Sequence, residues 1–207
     1  MKKLLVFALT CILVLSFAVS ANAATAYVDL LTFGDMERTN SGTYNGDGDL
    51  TGMVFGFNHY TEKAKFAVEY LDGAWDYKAY EYDISSLDLK GGYEVFENGY
   101  LTIGTLFGDI EDYSYDAILV GLDASFNLSE DLVLEGSAAF SFSGEYDYPN
   151  GYTYDANVTS IKARLIYIFE ENIAASFGYR LNVLALDNST STEYSYSSLT
   201  GGISYRF

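Results

Sequence analysis

The 207-residue chain has a single cysteine, a single proline and a single histidine. Cys11 lies in an apolar N-terminal segment, so the rest of the chain holds no thiol and no disulfide framework supports it. Pro149 sits in Tyr148-Pro149-Asn150-Gly151, the composition of a turn at a loop tip. Past residue 24 no stretch approaches the ~20 apolar residues of a membrane helix, and no helical period sustains itself. Bases are scarce, 11 against 29 acids, for a formal net charge of −18. Such a field excludes nucleic acid as a partner.

At the N-terminus, Met1-Lys2-Lys3 precedes an apolar run from Leu4 to Val19 and the small-x-small triplet Ala21-Asn22-Ala23. That order reads as a cleaved signal peptide over 1–23, leaving 24–207 as one domain. Thr10 is a poor residue before a lipid-modified cysteine, and the apolar run continues past Cys11, which argues against a lipoprotein.

Aromatics are abundant: 20 Tyr and 14 Phe put Phe, Trp and Tyr at 17% of the chain. They fall on period-two segments, which predict strands near 25–34, 49–60, 64–75, 85–96, 100–108, 116–127, 132–143, 157–169, 172–186 and 194–207. Short polar turns near 62, 98, 129 and 171 alternate with longer connections rich in Tyr, Asp, Gly and Ser. Alternation places Phe66, Val68, Tyr70, Leu89, Val120, Leu122, Leu165, Phe177 and their like on one face. In water that face would be a ring of exposed apolar surface; a lipid-facing wall accounts for it.

The last strand, Leu199 to Phe207, sets Leu199, Ile203, Tyr205 and Phe207 on one side. A terminal Phe closing such a strand resembles the C-terminal signal of bacterial outer-membrane β-barrels, with Ile203, Tyr205 and Phe207 as the assembly signal. Through signal peptide, alternation and terminal Phe, the chain resembles the small outer-membrane proteins that include OmpA-, OmpX- and NspA-like barrels. The expected fold is all-β, a transmembrane up-and-down antiparallel barrel of ten strands, with eight as the alternative. The resemblance implies contact with outer-membrane lipids and lipopolysaccharide, and recognition of the last strand by the barrel-assembly machinery. It also implies residence in the bacterial outer membrane with both termini periplasmic.

The opposite face carries Asp29, Lys65, Glu69, Asp88, Lys90, Glu94, Asp123, Glu135, Lys162, Arg164, Arg180 and Arg206, six acids and six bases that cancel. A barrel of about eight strands leaves an interior that side chains just fill, so charges in a ten-stranded lumen must pair. Height above the short turns suggests Lys65–Glu94, Glu69–Lys90 and Glu135–Arg164. The long connections carry seventeen acids against Arg38 and Lys78.

No catalytic set emerges, and an enzyme is not expected. His59 shares parity with Met53, Phe55 and Phe57, on the lipid face at the short-turn edge, with no Ser or Asp to complete a triad. Asn45-Gly46-Asp47-Gly48-Asp49 begins like a calcium loop, but Leu50 stands at the glycine position and Gly56 where the closing Glu belongs. Asp47 and Asp49 are therefore only a weak metal candidate, and no cofactor is expected beyond weak Ca²⁺ or Mg²⁺ at the acidic connections. The expected role is structural or surface-interacting, through Tyr-rich acidic loops with an unidentified ligand; a narrow cation-preferring channel is the alternative, and a lipid-modifying enzyme or protease a distant third.

Overall fold

The computed structural model describes residues 24–207, and the signal peptide expected over 1–23 lies outside the described residues. Ten strands form: β1 (Ala24–Asn40), β2 (Thr43–Tyr60), β3 (Ala64–Tyr77), β4 (Tyr80–Phe96), β5 (Gly99–Ile110), β6 (Tyr113–Asn127), β7 (Leu132–Asp147), β8 (Thr153–Glu170), β9 (Ile173–Leu186) and β10 (Thr192–Arg206). Each pairs antiparallel with its neighbour in sequence, and β1 closes on β10. The fold is thus an up-and-down closed barrel of ten strands, not eight.

The strands run well past the expected boundaries at one end. β5 has 12 residues and β2 and β8 have 18. At 3.3 Å per residue and a tilt near 40°, such strands build a wall roughly 30–45 Å tall, against an apolar band of ~25 Å in membrane barrels. Most connections expected to be long are therefore barrel wall. Only Ser41-Gly42, Lys78-Ala79 and Glu111-Asp112 join β1 to β2, β3 to β4 and β5 to β6. Tyr and Thr favour strands, and acids that alternate with them can face outward without breaking the ladder.

Register shifts interrupt the alternation at several points. In β1 the register shifts between Thr32 and Asp35, with Phe33 at φ 49° and 91% exposed. The extra residue there returns Met36 to the interior and turns Asp35 and Glu37 outward. Another shift lies between Phe140 and Glu145 of β7.

Outward positions carry Leu101, Ile103, Phe107, Phe126, Phe140, Phe177 and Ile203, all exposed, which is the wall expected to face lipid. Inside, glycines make room for aromatic rings: Tyr27 lies flat against Gly56, and Tyr115 against Gly108. A methyl group at position 56 would occupy the space of the Tyr27 ring. Gly56→Ala is therefore expected to destabilise the barrel by about 1–3 kcal/mol, as overpacking does. Guanidinium unfolding of the refolded protein checks this; no shift in midpoint would mean that Tyr27 has another resting place.

Candidate functional site

The inward face has two zones. In the half nearer the short turns, Asp29, Lys65, Glu69, Asp88, Lys90, Asp123, Glu135, Lys162, Arg164 and Arg180 come together. Lys162 Nζ donates to Glu69 Oε1 at 2.7 Å and lies 3.5 Å from Asp88, while Arg180 Nη2 is 2.8 Å from the same Glu69 oxygen. The Tyr27 hydroxyl donates to Glu69 Oε2 at 2.7 Å. Lys65 and Ser137 both donate to Asp123, at 2.7 and 2.6 Å. Arg164 reaches Asp29 at 3.3 Å and Glu135 at 3.6 Å, with its guanidinium 4.1 Å from the centre of the Tyr27 ring. Charges withdrawn from water in this way are tolerable because each has an opposite partner.

Of the three expected pairs, Glu135–Arg164 forms, because the two residues are direct cross-strand neighbours in β7 and β8. Lys65–Glu94 and Glu69–Lys90 give way to other partners. Opposite Lys65 stands Gly92, so its side chain passes over small residues to Asp123 on β6. The direct neighbour of Glu69 is Asp88, a like charge, and Glu69 turns across the lumen to β8 and β9. Lys90 pairs two residues back on its own strand, with Asp88 at 2.9 Å. Glu94 accepts instead from the Asn98 backbone N–H at 3.1 Å and holds the β4–β5 turn. Arg206 is exposed at the short-turn rim, outside the buried network.

The other half of the lumen is apolar, which the expectation of a charge-lined interior missed. Met36, Leu50, Val54, Leu71, Leu119 and Tyr146 are fully buried there, with Ile84, Leu106, Ile110, Val158, Leu184 and Leu186 around them. An aromatic layer covers this core: Trp75 packs 4.8 Å from Tyr77 and 5.4 Å from Tyr82, and Tyr146 stacks between Tyr113 and Tyr194 at 5.8 and 6.3 Å. The signal was present as Leu, Ile and Val on the parity of the charges, further along the same strands (Leu71, Ile84, Leu119, Val158 and Leu184), while Met36 faces inward only through the β1 bulge.

Outside this apolar half, the pattern inverts and the outward residues are acids. Asp35, Asp49, Asp76 and Glu81 stand directly opposite one another across β1 to β4, and Asp116, Glu145 and Asp155 across β6 to β8. Like charges so placed repel and weaken the sheet locally. The two bases of this end both rest on rings, Lys78 4.7 Å from the centre of Tyr77 and Arg38 5.6 Å from that of Tyr194. Asp47 and Asp49, expected in a loop, are outward residues of β2. Among the described residues no cluster of His, Cys, Asp or Glu is arranged to hold a metal ion.

His59 is half-buried, opposite Ala24 and Phe66 in the ladder, with Nδ1 enclosed and unpartnered. Ile203 and Tyr205 point outward on β10; Phe207 stacks edge-on against Tyr205 at 5.0 Å, and its N–H donates to Ala24 O at 2.9 Å.

No family model matches the chain, and no curated protein matches it in sequence. Solved structures do match in fold. The outer membrane protease OmpT from Escherichia coli is 14% identical, with a TM-score of 0.59 over 91% of this chain and 98% of that one. Neisserial surface protein A is also 14% identical, with a TM-score of 0.51 over 90% and 99%. An outer-membrane channel from Pseudomonas putida F1 is 10% identical, with a TM-score of 0.50 over 90% and 95%. A protease, a surface protein and a channel share this architecture, which is that of the small outer-membrane β-barrels.

Proposed function

We propose that this chain is an integral protein of the bacterial outer membrane that serves as a sealed structural and surface-interaction scaffold. In this reading the short turns and both termini lie in the periplasm, and the acidic end projects outside. The outward apolar band suits hydrocarbon, while an acid-studded wall with Trp and Tyr inside is built like a water-soluble barrel standing clear of it. The observation that carries the reading is the apolar core across the outer half of the lumen. Ions do not readily cross a packed layer of Leu, Ile, Met and aromatic side chains.

Single-channel recording in a planar bilayer tests it. A barrel shown to be inserted is expected to be silent in KCl at neutral pH. Steady cation-selective openings would instead support the narrow channel, with the lumen charges as its filter.

The outward acids and exposed Tyr80 and Tyr152 make the projecting end a surface for partners that tolerate strong negative potential. Phosphate-bearing lipopolysaccharide would approach it only with divalent cations between. At the other end, Phe207 and the outward Ile203 and Tyr205 are the residues through which the barrel-assembly machinery would engage the last strand. Deleting Phe207 is expected to leave most of the protein unassembled, read as loss of the heat-modifiable folded band in membrane fractions. Normal yield of that band would end the assembly-signal reading.

A further inference from the structure

The outward face is not uniform around the barrel. On β3 the apolar residues Phe66, Val68 and Tyr70 give way to Asp72, which stands directly opposite Met53 of β2 and Ser85 of β4. Ser85 in turn faces Asp109 of β5 and donates to its carboxylate at 3.3 Å, so a polar row crosses β3 to β5. On β9 the outward residues from Ile173 to Ala185 are all uncharged, with Phe177, Tyr179, Leu181 and Val183 among them. Its neighbours stay neutral to the same height: Thr159 of β8 and Ser195 of β10 flank Val183.

The residues of β3 from Ala64 to Leu71 rise about 20 Å before the first outward acid, and the whole of β9 rises about 35 Å, at ~3.3 Å per residue and a tilt near 40°. These two strands lie on opposite sides of the closed barrel, so its apolar belt is a wedge. Tilting the barrel to level the upper edge would draw the β2–β3 turn, with Glu62 and Lys63, into hydrocarbon. Compressing lipid by a few ångströms costs less than burying a carboxylate or an ammonium in it.

We propose that hydrocarbon covers the β8–β10 flank up to Ala185, while along β3–β5 the water boundary lies lower, at Asp72 and Asp109, so that the bilayer around the barrel is thinned on one side. Acyl chains are the occupant of the tall flank because upper β9 continues the lipid-facing band without a break. The charges that would exclude lipid there come only at Asp155, Asp187 and Glu193, at the strand ends. This inference rests on the outer-membrane reading above and adds to it an uneven lipid boundary.

Cysteine scanning tests it. Past Cys11 the chain has no cysteine, so in a Cys11→Ser background single-cysteine variants each carry one polarity-sensitive fluorophore. Ala74 and Val183 both point outward, each ten positions beyond the first residue of its strand, Ala64 and Ile173. In phospholipid vesicles the probe on Val183→Cys is expected to emit at shorter wavelength than that on Ala74→Cys. Brominated acyl chains rather than aqueous iodide are expected to quench it, and on Ala74→Cys the two quenchers exchange roles. The heat-modifiable band shows that each variant has folded, and Ala185→Cys repeats the β9 reading if Val183→Cys does not. Leu165→Cys, in the middle of the band, separates the two ideas: without lipid quenching there, the membrane reading falls and the wedge with it. Lipid quenching at Leu165→Cys beside iodide quenching at Val183→Cys overturns the wedge alone, as does equal lipid quenching at Val183→Cys and Ala74→Cys. A disulfide-linked Val183→Cys dimer in place of lipid quenching would give that flank to a second copy of the chain and also overturn the proposal.

Discussion

Replacing Glu69 with alanine is expected to destabilise the folded barrel by about 3–5 kcal/mol, because it strips the counter-charge from two buried cations at once. Arg180 is 6% exposed, and Glu69 is its ion-pair partner in the lumen. Lys162 would keep only the longer contact to Asp88, at 3.5 Å. Tyr27 would also lose the acceptor of its hydroxyl. Guanidinium unfolding in a lipid bilayer, followed by Trp75 fluorescence, gives the number. Combining Glu69→Leu with Lys162→Met and Arg180→Met is expected to recover most of the loss, since well-packed apolar residues replace a buried ion cluster at little or no cost. A shift below about 1 kcal/mol for Glu69→Ala would mean that the two cations reach water when their partner is gone.

Trp75→Ala is expected to have an effect of similar size, about 3–5 kcal/mol, for a different reason. Trp75 is 3% exposed and meets three rings, Tyr77 and Tyr82 obliquely and Tyr194 edge-on at 6.5 Å. Its indole N–H has no partner, so the substitution removes packing without removing a hydrogen bond. The cavity it leaves lies in the layer that closes the lumen. Trp75→Phe keeps much of that volume and is expected to lose under about 1.5 kcal/mol. Because Trp75 is the chain's single tryptophan, tyrosine fluorescence or heat-modifiable mobility must serve as the probe. Equal losses for the two variants would point to a role other than filling space.

Much of the fold was readable from the chain, because a barrel in lipid obeys the strictest form of alternation. Phe66, Val120, Leu165 and Phe177 declared the outer face, and the polar turns fixed where strands reverse. The limits of that reading are equally physical. Alternation assumes an unbroken ladder, and at Phe33 one extra residue shifts the parity of everything beyond it in β1. The acid-rich segments looked like loops because charge and strand are rarely associated, yet Asp35, Asp49 and Asp76 sit on ladder positions with Met36, Leu50 and Trp75 turned inward beside them. Within the lumen, parity identified which charges face inward but not which meet. Only the in-register pair Glu135–Arg164 followed from sequence height; Lys65 and Glu69 reach across the barrel, which a strand-by-strand count cannot foresee.

The carboxylates on the outward face of the projecting wall have a consequence for topology. Drawing even one ionised side chain through hydrocarbon costs several kcal/mol, and this wall carries rows of them on a rigid sheet that cannot fold them away. A barrel that has once delivered this end across a bilayer can neither slip back nor turn over. In the orientation proposed above, insertion is therefore expected to be a one-way event, with sidedness fixed once the acidic end has crossed.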